Sequence, residues 1–206
     1  MRLFLIRHGE TQWNKWQKIQ GQVNIPLNET GEAEARKLSE ILRNKKFDVI
    51  YTSPLNRSKD TAGIVFGHDA VIIIEPLIIE MAFGIYEGFN YGNLDIDKNH
   101  DLYTYFYDRK NYVPPKGGES IQQVTDRAKA FLNKMLNQHR NETVIAFSHG
   151  AFINCAISVV LDLIPLQEKL IRPIKNCSVT VLNNKSGQLE VEQEAVDVIR
   201  GEILIL

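Results

Sequence analysis

Two short strings carry the residue types that do chemistry: Arg7-His8-Gly9 and Ser148-His149-Gly150, each closing an apolar run with an imidazole and a glycine. A neutral imidazole is a nucleophile, and a guanidinium offers a planar fork of donors suited to phosphate or carboxylate. Glycine lets the backbone pass close to a bound group. Between the two strings lie Arg57, just beyond the breaker Ser53-Pro54, and Glu80, in a long segment with little periodicity. Two arginines, two histidines and one carboxylate suit a phosphoryl group. Forked hydrogen bonds would take the non-transferred oxygens while a histidine nitrogen attacks in line with the leaving oxygen and carries the group covalently. Zinc at His8 and His149 would be repelled by the arginines and finds no third ligand at suitable spacing, so no metal is expected. The serine-hydrolase elbow, the nucleotide phosphate loop and the dinucleotide fingerprint are all absent.

These segments are distant in the chain, so the fold must gather them. Residues 1–6 read as a buried parallel strand followed by a loop. Asn28 caps a helix to about Asn44, with Ala33, Leu38, Ile41 and Leu42 on its apolar side and Glu32, Arg36, Lys37 and Glu40 opposite. Residues 47–52 form a strand, 56–66 a helix and 70–75 a third strand. Glu119-Ser120 opens a long helix to about Gln138, buried through Val124, Ala128, Phe131, Leu132 and Met135. Residues 143–147 form a strand and 152–161 an apolar helix, and 178–183 with 189–194 make an edge hairpin. This alternation predicts an α/β fold over residues 1–206. It is a single-domain three-layer α/β/α arrangement whose mostly parallel sheet has an antiparallel edge strand. Residues 90–118, aromatic and charged, read as a helical cap insertion beside a pocket or as an insertion packed on the core. In an open α/β sheet the ligand lies beyond the carboxyl ends of the strands, where strand order reverses. Arg7, His8, Arg57, Glu80 and His149 all fall on that rim, and Gly150 begins a helix whose amides favour an anion.

The bulk properties are those of a soluble globular chain. It has 206 residues, 44% hydrophobic and 24% charged, with a net charge of -1. That balance gives no general attraction to nucleic acid or anionic lipid, so an anion must be bound locally. No run approaches the ~18 apolar residues of a membrane span, and residues 1–6 are too short for a signal-peptide core. Cys155 and Cys177 read as buried thiols of a reducing cytoplasm. The apolar tail, residues 203–206, is expected to pack on the protein or on a second copy, and with the edge hairpin it suggests a homodimer. His68, His100 and His139 match no motif and read as surface residues.

The residues also carry a resemblance. Arg7-His8-Gly9-Glu10-Thr11 with Trp13-Asn14, Thr52-Ser53-Pro54-Leu55-Asn56-Arg57-Ser58 with Thr61-Ala62, Glu80-Met81-Ala82-Phe83-Gly84 with Glu87-Gly88, Gly118-Glu119-Ser120, and Ser148-His149-Gly150 stand in one order. Together they resemble the histidine phosphatase superfamily in its phosphoglycerate-mutase-like branch, over Met1 to about Leu161. The resemblance implies that His8 becomes phosphohistidine, that Arg7, Arg57 and His149 form the phosphate pocket, and that Glu80 gives and takes a proton. It places Asn14, Gln20, Gly21 and Gly150 against phosphate or substrate. Asn14 also reads as a helix cap and Glu80 as a solvated loop acid. His8 must be neutral to attack, its other nitrogen held by a backbone carbonyl.

Family membership leaves two reactions open. Mutases that use 2,3-bisphosphoglycerate typically carry Arg and Tyr at the first and third positions after the glutamate, and an Arg pair in a longer insertion. This chain has Met81 and Phe83, with Arg109 and Lys110 as the nearest cationic pair. An apolar pair anchors a second anion poorly, so the expectation is a phosphomonoester phosphatase that needs neither metal nor cofactor and acts on a small phosphorylated metabolite. The mutase is the alternative, and a phospho-ligand binding protein without turnover is a third reading. Residues 90–118 would set specificity, with Tyr86, Lys98, Tyr103 and Phe106 as candidates.

Overall fold

Alternation along the first strand decides the layering. In β1 (Arg2–Arg7), Leu3 and Leu5 join one buried cluster while Phe4 and Ile6 join another, so a nearly unbroken apolar run feeds both faces of a sheet. The strand β4 (Thr143–Ser148) does the same, with Val144 and Ala146 on one side and Ile145 and Phe147 on the other. The structure is a computed structural model that describes residues 1–67, 69–92, 98–163, 173–185 and 187–206.

The first face is covered by α5 (Ile121–Gln138), through Val124, Ala128, Phe131, Leu132 and Met135, and by α6 (Gly150–Val160). The second is covered by α2 (Glu29–Leu42), through Ala35, Leu38 and Leu42, and by α3 (Asn56–Phe66), through Ala62 and Val65. On α2 the expected face is rotated. Ala33 is exposed and Glu34 is buried, because the Glu34 carboxylate accepts the Glu10 amide at 2.9 Å. Asn28 caps α2 by accepting from Gly31 N, and a capping box of Ser120 and Gln123 starts α5.

Among the described residues the sheet has the order β3-β2-β4-β1-β5-β6, with β2 (Val49–Thr52) and β3 (Ile72–Ile74) shorter than the sequence suggests. β1 to β4 run parallel, and β5 (Val179–Lys185) and β6 (Gln188–Val196) form an antiparallel edge hairpin. The chain crosses from β1 past the place of β4 to β2, then returns to insert β4 beside β1. The carboxyl ends of β1 and β4 therefore lie side by side, Arg7 opposite Ser148, with His8 N bonded to Ser148 O at 3.0 Å. This is where strand order reverses.

Some sequence expectations need correction and others hold. The loop after β1 contains a short helix, α1 (Gln12–Lys15), opened by a capping box between Thr11 and Asn14. The aromatic stretch carries α4 (Asp101–Tyr107), with Leu102 and Tyr105 buried. His139 is buried: its Nε2 lies 3.0 Å from Tyr51 Oη and its Nδ1 bonds Glu142. His100 is half-buried, accepts the Leu102 amide to cap α4, and sits with its ring 4.2 Å from that of Phe89. His68 lies outside the described residues. The tail packs on its own chain: Leu204 joins the second cluster and Ile205 exchanges two hydrogen bonds with the Gln193 side chain. Cys155 and Cys177 are both free and buried. No helix among the described residues is long and apolar enough to cross a membrane.

Candidate active site

A cavity of about 410 Å³ opens over the carboxyl ends of β1 and β4. Its wall includes Arg7, His8, Asn14, Gln20, Gly21, Arg57, Glu80 and Gly150. His149 is buried behind this wall, its ring centroid 5.2 Å from that of His8. Segments from four parts of the chain thus meet at one place.

His8 lies 2% exposed at the end of β1, its Nδ1 2.7 Å from Gly9 O. A carbonyl only accepts, so Nδ1 holds the proton and Nε2 keeps its lone pair. Burial, with Arg57 and Arg7 nearby, holds the His8 pKa well below the usual histidine value, and the bond to Gly9 opposes this weakly. His149 is lowered well below its usual value by burial, Arg57, His8 and Arg7. Both rings are neutral at pH 7.

The arginines are built into the frame as well as the pocket. Arg57, fully buried, donates from Nη2 to Gly21 O at 2.7 Å and from Nη1 to Val23 O at 2.8 Å, fixing the loop that carries Gln20. Burial pulls its pKa down to about 10, which leaves it charged. Arg7 donates from Nη1 to Ile174 O. Among the described residues, buried side-chain atoms without a partner include Arg7 Nε, Arg57 Nε, His149 Nδ1 and Gln20 Oε1. Buried polar groups are normally paired, so this concentration at one cavity marks a polar ligand, and the three nitrogens mark an anionic one.

Glu80 is held by the α6 N-terminus. Its Oε1 accepts from Met81 N at 2.8 Å and Phe152 N at 3.2 Å, and its Oε2 from Ala151 N at 3.3 Å. The first amides of α6, which the sequence offered to a bound anion, are therefore taken by the Glu80 carboxyl group. Arg127 braces the loop behind it, donating to Leu77 O and Ile79 O while pairing with Glu119 at 2.9 Å. Glu119 Oε2 in turn accepts Ala82 N. Glu87 Oε1 accepts both Gln22 N and Phe83 N, which ties the Gly21 turn to the same loop. Gly21 has φ +50, and a Cβ there would strike Glu87.

Details of the site differ from expectation. Gly9 is bare for packing: a Cβ there would lie 2.5 Å from Gly31 O of α2. Met81 is fully buried in the core, so only Phe83 of that pair reaches the cavity. Asn14 takes part in the α1 cap, its Oδ1 accepting Thr11 N, and it also lines the cavity. Arg109 is buried with its guanidinium 5.3 Å from the Tyr105 ring centroid, and Lys110 is exposed. Of the suggested specificity residues only Phe106 lines the cavity, joined by Lys18, Ile19, Tyr91, Tyr105, Asn154 and Lys175.

Sequence reasoning missed residues 173–178. Ile174 O takes the Arg7 guanidinium, Cys177 N bonds Arg7 O at 3.0 Å, Ser178 O takes Arg7 N, and Asn176 Nδ2 bonds His8 O at 3.0 Å. Ser53 was read only as part of a strand breaker and motif. Its Oγ lies 2.7 Å from His149 Nε2. Among the described residues no group of three or more His, Cys, Asp or Glu side chains is arranged to hold a metal ion.

A three-layer α/β/α fold with a cationic, histidine-bearing pocket at its switch point defines a class of phosphoryl-transfer proteins. The chain belongs to the histidine phosphatase superfamily (branch 1), whose sequence profile matches residues 3–196. It is 32% identical over 181 residues to the probable phosphoglycerate mutase GpmB of Cronobacter sakazakii, covering 87% of this chain and 83% of that one. Among solved structures it is similar to phosphoserine phosphatase from Entamoeba histolytica in complex with 3-phosphoglyceric acid. The TM-score is 0.80 at 30% identity, with 93% of this chain and 95% of that chain covered. Bacillus stearothermophilus YhfR superposes with a TM-score of 0.85 at 27% identity, covering 94% and 96%.

Proposed function

We propose that the protein is a metal-independent phosphomonoester phosphatase that works in the cytoplasm on a small phosphorylated metabolite through a phosphohistidine at His8. The observation that carries this is the bond from His8 Nδ1 to Gly9 O at 2.7 Å, which leaves Nε2 as an unprotonated nitrogen facing a cationic cavity. Arg7, Arg57 and His149 hold the phosphoryl oxygens, with Asn14, Gln20, Gly21 and Gly150 around them. Nε2 attacks phosphorus as the bond to the ester oxygen breaks, and Glu80 protonates the departing alcohol. Gly9 O stabilises the imidazolium so formed. Glu80, now ionised, takes a proton from water, whose oxygen attacks phosphorus, and Nε2 leaves with its electron pair as phosphate departs.

Transfer to water is favoured over transfer to a second substrate because Phe83 is apolar, Met81 faces the core, and neither Arg109 nor Lys110 lines the cavity. Lys18 and Lys175 do line it. They support the second reading, a 2,3-bisphosphoglycerate-dependent phosphoglycerate mutase, since either could hold a carboxylate. Phosphate release from a panel of phosphomonoesters at several pH values, with EDTA present, decides between them. The phosphatase releases phosphate from at least one monoester. Interconversion of 3- and 2-phosphoglycerate with no release from any monoester refutes it. His8→Ala abolishes an acid-labile, base-stable phosphoprotein; labelling that survived would refute the nucleophile.

A further inference from the structure

We propose that Ser53 is a positioning residue that holds His149 in the tautomer with its proton on Nδ1, so that this N–H is presented to the phosphoryl group. Ser53 and His149 are both fully buried, and Ser53 Oγ lies 2.7 Å from His149 Nε2. Two assignments of the proton between them exist, and the surroundings separate them. Ser53 Oγ also accepts the Leu55 amide at 3.4 Å, a long bond that still takes one lone pair. With the hydroxyl donating to Nε2, the Leu55 amide, the Ser53 proton and the Nε2 lone pair are all satisfied. With Nε2–H donating to Oγ, the Ser53 proton is left buried with no acceptor among the described residues, a cost of the kind buried hydroxyls avoid.

The first assignment puts the second ring proton on Nδ1, and Nδ1 is the His149 atom without a partner. Burial among Arg57, His8 and Arg7 keeps the ring neutral, so it has one N–H to give and the tautomer decides where. The two histidines then carry their protons on the same nitrogen and serve opposite purposes. His8 gives its Nδ1–H to Gly9 and turns its lone pair to the ligand, whereas His149 gives its lone pair to Ser53 and keeps its Nδ1–H for the ligand. The phosphoryl reading of the pocket enters only in what that N–H is for.

Nitrogen-15 NMR of histidine-labelled protein at pH 7 reads the protonated ring nitrogen without any turnover, the His149 signals being those lost in His149→Asn. The expected result is a protonated Nδ1 in the unaltered protein and a shift toward protonated Nε2 in Ser53→Ala, with inorganic phosphate bound roughly tenfold more weakly. Ser53→Thr, which keeps the hydroxyl, restores both. Ser53→Cys, a weaker donor, replaces the alanine variant if that fails to fold and gives a mixture of tautomers. A protonated Nε2 in the unaltered protein, or a folded Ser53→Ala or Ser53→Cys with Nδ1 still fully protonated, overturns the proposal. Failure of the phosphatase assay would leave the tautomer result standing, and a wrong tautomer in an active phosphatase would defeat this proposal alone.

Discussion

Gly150→Ala should separate ligand binding from stability. A Cβ built at this position meets nothing closer than Arg7 Nε, at 3.7 Å, so the protein's own atoms accommodate the methyl group. A phosphoryl oxygen bonded to that same Nε would sit about 2.8 Å from it, in the space the methyl group enters. Losing one hydrogen bond to a charged group costs about 1.5–3 kcal/mol, a rise of roughly ten- to hundredfold in Kd for inorganic phosphate. The backbone of α6 is helical here, so the same substitution removes freedom from the unfolded chain and adds about 0.4–1 kcal/mol of stability. For a domain of this size that raises Tm by about 1–4 °C. Titration calorimetry with phosphate and a thermal melt, run on one preparation, should move in opposite directions. Phosphate affinity unchanged within twofold would mean that Arg7 Nε does not face the ligand. Gly9→Ala provides the contrast. Its Cβ would lie 2.5 Å from the Gly31 carbonyl, and neither backbone can give way, so about 1–3 kcal/mol of stability is lost.

Two further outcomes are expected. His8 and His149 have folded-state pKa values well below 6.5, so as pH falls below 6.5 the unfolded chain takes up protons that the native one refuses. Stability present above pH 6.5 should therefore fall by roughly 1.4 kcal/mol per pH unit for each histidine. Urea denaturation at pH 7 and pH 5.5 measures this difference in His8→Asn/His149→Asn against the unaltered protein, and equal slopes in both would contradict the neutral pair. Arg127→Met removes the brace behind Glu80 and leaves Glu119 without its ion pair, costing about 3 kcal/mol. Turnover should drop at least tenfold with phosphate affinity little changed; a parallel loss of affinity would place Arg127's influence on the phosphate pocket itself.

Much of the site was legible because strand ends are legible. The apolar runs that become β1 and β4 stop at Arg7 and Ser148, and one rule about open sheets puts their ends together with Arg57 and Glu80. Side-chain identity served poorly wherever the backbone is the partner. Gly9 and Gly150 look alike in sequence, yet one is bare for Gly31 and the other faces Arg7. The α6 amides suggested a ligand and hold Glu80 instead. Residues 173–178 grip Arg7 chiefly through main-chain groups, which carry no signature in the letters. His139 and His100 read as surface residues because their partners, Tyr51 with Glu142 and Phe89, are set by tertiary packing.

The hold of residues 173–178 on Arg7 also bears on the order of assembly. Arg7 and His8 stand at the end of β1, whereas Ile174, whose carbonyl takes the Arg7 guanidinium, follows 167 residues after Arg7, shortly before the strand that pairs with β1. A nascent chain with β1 to β4 already associated would carry His8 and Arg57 yet lack a set Arg7. The Arg7 side chain thus takes its set position only when the closing hairpin docks, so the pocket is completed by the last part of the sheet to join.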